Sequence, residues 1–170
     1  SGRGALRGIY GPVSQLITVK DKYSAAIETA LGAAVQNIVV DNETDAKRAM
    51  GFLKEHRAGR ATFLPITAIK GRVLSEQGLD DQYGFVSIAS DLVSYDNKYS
   101  EIIRWLLGRT AVAEDIDSAI AIAKKYSYRF RIVTLDGQVI NAGGSMTGGS
   151  RVQNAGILSR GNEIERLKGS

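Results

Sequence analysis

The chain has 170 residues, 44% of them apolar, long enough to bury about 70% of the surface its unfolded form would expose. Its 22 Lys and Arg against 18 Asp and Glu give a formal charge of +4 and a pI near 9.4, a mildly basic balance that permits contact with nucleic acid without demanding it. The absence of cysteine excludes disulfides, thiol nucleophiles and thiolate metal sites and fits a reducing interior. With no apolar run approaching the roughly 18–20 residues of a membrane span, the expected location is cytoplasmic.

In chain order, Ser1-Gly2 reads as an appended end, and residues 4–19 are short and mixed, with a candidate strand at Leu16-Ile17-Thr18-Val19. Asp21 then opens a helix whose apolar positions Tyr23, Ile27, Ala30 and Leu31 follow helical spacing, with Gly32 as the stop. Residues 35–40 read as a buried strand ending in Ile38-Val39-Val40. Asp41-Asn42 make a turn, and Thr44 or Asp45 opens a second helix with Ala46, Ala49, Met50 and Leu53 on one face. Ala61-Thr62-Phe63-Leu64 is prone to strand before Pro65, which predicts a βαβ-like unit. The lone histidine, His56, is expected on a solvated helix end; with one His and no converging carboxylate pair, neither acid-base nor Ser-His-Asp chemistry finds support.

Residues 70–97 are looser and read as a connection, with Phe85-Val86-Ser87-Ile88 as a candidate short strand. The pattern then repeats. Lys22-Tyr23-Ser24, Ile27 and Leu31-Gly32 recur as Lys98-Tyr99-Ser100, Ile103 and Leu107-Gly108 at a constant offset of 76, six identities in eleven positions. The register then drifts: Asp45 and Ala46 find counterparts in Asp117 and Ala119, and residues 60–64 in residues 131–135. Two copies predict a duplicated domain with two related lobes, residues 8–69 and 98–156, of mixed α and β structure. Asp136-Gly137 predicts a hairpin turn between residues 132–135 and 138–141. At the far end, Ile157, Ile164 and Leu167 have the spacing of a coiled-coil seam over residues 157–168, as an ordinary amphipathic helix also would.

The most demanding stretch is Gly143-Gly144-Ser145-Met146-Thr147-Gly148-Gly149-Ser150, four glycines in eight residues after an apolar run. Glycine is costly in ordered structure by roughly 0.5–1 kcal/mol each, so the backbone here either wraps a phosphate or approaches another backbone closely. Gly149 stands where a phosphate-binding loop needs lysine, and residues 151–156 have no helical period, so the phosphate reading loses its cation and its helix. Close approach remains: a strand running into paired glycines suits pairing with another chain, and two lobes allow two chains to close head to tail.

The run 134–149, together with Gly59-Arg60-Ala61-Thr62-Phe63-Leu64-Pro65 and Gly8-Ile9-Tyr10-Gly11-Pro12-Val13, resembles the hinge domain of prokaryotic SMC (structural maintenance of chromosomes) proteins over essentially the whole chain, from about Gly8 to Leu167. That resemblance implies an α+β hinge fold of two pseudo-repeated lobes whose ends enter coiled-coil arms, and a ring-like homodimer of a condensin-type, chromosome-segregating ATPase. The interface it implies is Gly143, Gly144, Met146, Thr147, Gly148 and Gly149. It implies no catalysis, metal or cofactor in this segment, since ATP and Mg would bind only at distant heads, and a nucleoid-associated protein with no membrane or small-molecule partner. It further implies weak, non-specific DNA binding, single strands included; Lys124, Lys125, Arg129, Arg131 and Arg151 are the candidates, with Tyr126 and Tyr128 between cations as rings on which bases could stack. The family's lysine run after the glycines is missing: Arg151 is followed by uncharged residues. A nucleic-acid-binding domain that dimerises incidentally is the alternative.

Overall fold

The computed structural model describes residues 7–150 and Leu158. Among these residues, ten strands and five α-helices with assigned bounds form two related halves around a shared core. The first half contains β1 (Ile9–Pro12), the single turn α1 (Val13–Leu16), β2 (Ile17–Val19), α2 (Asp21–Leu31), β3 (Ile38–Val40), α3 (Glu43–Glu55) and β4 (Phe63–Pro65). The second contains β5 (Phe85–Ile88), a 3-10 turn (Ala89–Leu92), β6 (Val93–Tyr95), α4 (Ser100–Leu107), β7 (Thr110–Ala113), α5 (Ile116–Lys125), β8 (Arg131–Thr134), β9 (Val139–Ile140) and β10 (Met146–Thr147).

The repeat reaches further back than the sequence shows. β1 and β5 lie 76 residues apart, as do β2 and β6, so the stretch expected to be a connection, residues 70–97, holds two strands equivalent to the first two of the chain. The equivalence extends to irregularities. β1 pairs antiparallel with β3 through Ile9↔Val40 and Gly11↔Val39 with a bulge between; β5 pairs with β7 through Phe85↔Ala113 and Ser87↔Val112 with the same bulge. β3–β4 and β7–β8 are both parallel, as a βαβ unit requires. The register drift also has a cause: a 3-10 turn, Gly32–Gln36, separates α2 from β3, whereas α4 runs almost directly into β7.

Both long helices after the inner strands start on the same device. Asn42 accepts a hydrogen bond from the Asp45 N–H at 2.9 Å, and Asp115 accepts from the Ser118 N–H at 2.8 Å. These are side-chain caps on otherwise unsatisfied donors, and they begin α3 at Glu43, ahead of the expected Thr44 or Asp45.

The halves meet at a two-stranded antiparallel ribbon. β2 pairs with β6 through Ile17↔Tyr95, Thr18↔Ser94 and Val19↔Val93. Thr18 and Ser94 are themselves 76 residues apart, so the ribbon's centre is the pseudo-two-fold axis of the chain. Around it Val13, Ile17, Ile27 and Leu31 of the first half share one core with Ile102, Ile103, Leu107 and Val133 of the second. A second core lies under α5, where Ala111, Ala113, Ile132 and Ile140 face Ala119, Ile122 and Phe130. β7 is thus buried on both faces, Val112 toward one core and Ala111 and Ala113 toward the other, which is why Thr110–Ala113 carries no polar alternation.

Candidate interaction edge

The symmetry fails most plainly at the sheet edges, among the described residues. The first sheet ends at β4, with order β1-β3-β4, whereas the second continues past the equivalent strand β8 to β9 and β10. β10 is formed by the middle of the glycine block, pairing antiparallel with β9 through Met146↔Ile140 and Thr147↔Val139. The predicted turn at Asp136-Gly137 is present between β8 and β9: Gly137 has a φ of 88°, and its N–H donates to Thr134 O at 2.9 Å.

The glycines build the reversal that delivers β10 to this edge. Gly143 and Gly144 have φ of 92° and 110°, a region in which side chains are strained. The Gly144 N–H donates to Asn141 O at 2.9 Å, and the Asn141 N–H donates to Ser145 O at 2.7 Å; the Asn141 amide also donates to Ser145 Oγ and Thr147 Oγ1. Past the strand, Gln138 grips the chain: its Oε1 accepts from the Gly149 N–H at 2.9 Å and its Nε2 donates to Gly149 O at 3.2 Å. A Cβ on Gly148 would stand 2.0 Å from that same Oε1. The strand so held is exposed, Met146 to 56%, and residues 137–150 carry no charge. An uncharged, exposed edge strand is a template for another strand. The six predicted residues Gly143, Gly144, Met146, Thr147, Gly148 and Gly149 are therefore brought together on one edge, ordered by Asn141 and Gln138, which sequence reasoning did not single out.

A complementary gap lies in the first half. Among the described residues β4 is paired only with β3. Counted from its cap, Met50 of α3 corresponds to Ala123 of α5; Ala123 is buried in the same core as Ile140 of β9, whereas Met50 is 57% exposed. Asp45 lies against Gly8, on the β1 side of α3. Met50, five residues on, is rotated about 140° from it and faces away from β1. The uncovered side of α3 thus flanks the unpaired edge of β4.

The predicted cations are distributed differently. Lys124 and Lys125 are exposed in the last turn of α5. The Arg129 side chain is exposed, and its guanidinium lies 3.8 Å from the Glu76 carboxylate, which Arg109 also approaches at 3.8 Å; Arg109 therefore joins this group without having been expected there. Arg131 is turned inward, with its guanidinium donating to the Ala30 carbonyl at the end of α2, and burial lowers its pKa from the ordinary arginine value. Tyr126 is buried with its hydroxyl on Gln77 O at 2.8 Å, and Tyr128 lies against Gly144, so neither ring stands free between cations. Arg151 is outside the described residues. His56 is exposed at the end of α3, stacked on Phe52. No group of three or more metal-ligating side chains, and no helix long and apolar enough to cross a membrane, is found among the described residues.

A family model for the SMC proteins flexible hinge domain matches residues 6–123, covering the repeated helices and stopping short of the glycine edge. The chromosome partition protein Smc of Bacillus subtilis (strain 168) is 43% identical over 164 residues, covering 94% of this chain and 14% of that protein. The protein of the same name from Methanocaldococcus jannaschii is also 43% identical over 164 residues, with the same coverage of each chain. The chain thus spans about a seventh of these relatives' length. Among solved structures, the asymmetric dimer of the Geobacillus stearothermophilus SMC hinge domain superposes with a TM-score of 0.91 at 48% identity, over 99% of this chain and 69% of that one. The Pyrococcus furiosus SMC hinge domain gives 0.74 at 33% identity, over 88% and 76%.

Proposed function

Because the chain belongs to the family of SMC flexible hinge domains, we propose that it is a homodimerisation module that joins two coiled-coil arms of a chromosome-organising ATPase. The observation that carries this reading is the mismatch between its two sheets. One ends in an exposed strand built around glycines, and the other, among the described residues, lacks the strands that would cover its last edge and the flank of α3. A second copy, turned about a two-fold axis, meets β4 with its β10 and offers its own β4 in return, so the two contacts close a ring. ATP hydrolysis belongs to heads outside this segment. We take residues 8–69 and 98–156 as the two lobes, with residues 84–97 packing as part of the second. Weak DNA binding without sequence preference, at the nucleoid, completes the proposal, supported by the exposed cations at the end of α5.

The test uses positions at which substitution does not require an unusual backbone. Met146 and Gly148 are exposed and outside the positive-φ region, and the atom nearest a Cβ on Gly148 is Oε1 at the tip of the Gln138 side chain, which can swing aside at the cost of its bonds to Gly149. Met146→Glu combined with Gly148→Glu is expected to turn a dimer into a monomer in light scattering at micromolar concentration, with an unchanged far-ultraviolet circular dichroism spectrum. A double variant that remains dimeric would overturn the proposal.

A further inference from the structure

The two halves supply an internal control for one residue. α3 and α5 end in the same reversal: the Ala58 N–H donates to Leu53 O at 2.9 Å, and the Tyr128 N–H donates to Ala123 O at 2.8 Å. The residue before each is left-handed, Arg57 with φ of 50° and Ser127 with φ of 56°. There the likeness stops. Ala58 lies outside the positive-φ region, whereas Tyr128 has φ of 57°, making two consecutive left-handed residues that are not glycine. For a bulky side chain this is an uncommon conformation, kept only where the surroundings hold it.

What holds Tyr128 is the glycine reversal. Its carbonyl accepts the Gly143 N–H at 2.8 Å, and its ring carbons lie 3.5–3.8 Å from where a Gly144 Cβ would stand. The second left-handed residue is thus found in the half that has a hairpin beside it and not in the half where β4 is the last strand. We infer that Tyr128 is a positioning residue for self-association: its left-handed backbone aims a carbonyl at Gly143 and its ring backs Gly144, fixing where the reversal, and hence β10, stands for the partner chain. This rests on the dimer reading above. It also ties the last turn of α5, with Lys124 and Lys125, to the interface through a few peptide units.

The experiment compares the full chain with Tyr128→Phe and Tyr128→Gly by sedimentation over a concentration series, together with amide hydrogen exchange. Tyr128→Phe keeps ring and backbone and is expected to associate like the parent. Tyr128→Gly accepts the same φ without strain but removes the ring and loosens the carbonyl. It is expected to raise the dimer dissociation constant at least tenfold and to speed exchange at Gly143, while amides of β7 and β8 stay protected. A merely structural role would instead lower protection throughout. Parent-like association and Gly143 protection in Tyr128→Gly would overturn the inference, as would a Tyr128→Phe defect equal to that of glycine. A parent that is monomeric at every concentration would overturn the dimer reading, and the Gly143 exchange rate would still decide whether Tyr128 holds the turn.

Discussion

Gly84 shows how much one missing methyl group can decide. It has φ of 79°, its carbonyl accepts the Glu114 N–H at 2.8 Å, and a Cβ there would fall 2.1 Å from Ser118 Oγ and 2.3 Å from Ser118 Cβ. Its equivalent 76 residues earlier, Gly8, accepts the Asp41 N–H at 2.8 Å and meets Asp45 in the same way. Ser118 and Asp45 are the residues whose N–H groups are capped at the start of α5 and α3, so in each half a glycine makes room for the first turn of a helix. Gly84→Ala is expected to cost about 1–3 kcal/mol in denaturant unfolding, from the backbone conformation and the clash together. Adding Ser118→Gly removes the clash and leaves the backbone term, so a partial recovery is expected; full recovery would mean that the left-handed conformation costs nothing. The sequence displays Gly8 and Gly84 as punctuation, but the neighbour that forbids a side chain is distant along the chain and leaves no local sign.

At the scale of elements, what could be read depended on where identities survived. Six identities survive across α2, α4 and their caps, and two of them, Ile27/Ile103 and Leu31/Leu107, share one core across the pseudo-axis and are constrained alike. The stretch before these helices keeps only Gly8/Gly84, Ser14/Ser90 and Leu16/Leu92, none of them within a strand, since strand pairing is carried by backbone groups indifferent to side chain. That is why β6 read as connection, and why β5, legible as a candidate strand, could not be matched to β1. The hairpin was legible from Asp136-Gly137, and the glycine block announced an unusual backbone, but a two-residue strand between glycine pairs has too little pattern to be seen. Among the cations, sequence could not separate Arg131, which holds the end of α2, from Lys124 and Lys125, which project from the end of α5. The separation is testable by gel retardation. Lys124→Glu with Lys125→Glu is expected to weaken a DNA shift that is present at low salt and fades by physiological salt, and to lower the salt slope by about one for each phosphate no longer neutralised. An unchanged shift would move the DNA surface elsewhere.

At the scale of the molecule, the halves are interlocked, although the smaller core under α5 belongs to the second alone. The larger core draws on both, and among the described residues β2 has no strand partner but β6. Chains cut after Gln77, on the exposed loop between the halves, are expected to be unfolded singly by circular dichroism and to regain a cooperative melt when mixed. A cooperative melt of either piece alone would contradict an interlocked pair.

The ribbon also sets a schedule. Thr18 and Ser94 are opposite each other but 76 residues apart, so on a ribosome the first must wait for the second. At roughly 5–20 residues per second the delay is about 4–15 s, far longer than the microseconds in which a hairpin forms. Throughout that interval Ile17 and Val19, later buried, are displayed to whatever else is nascent or nearby. The newborn chain is therefore most vulnerable to wrong strand partners while its second half is still being made, and slowing translation between Val19 and Val93 lengthens that exposure in direct proportion.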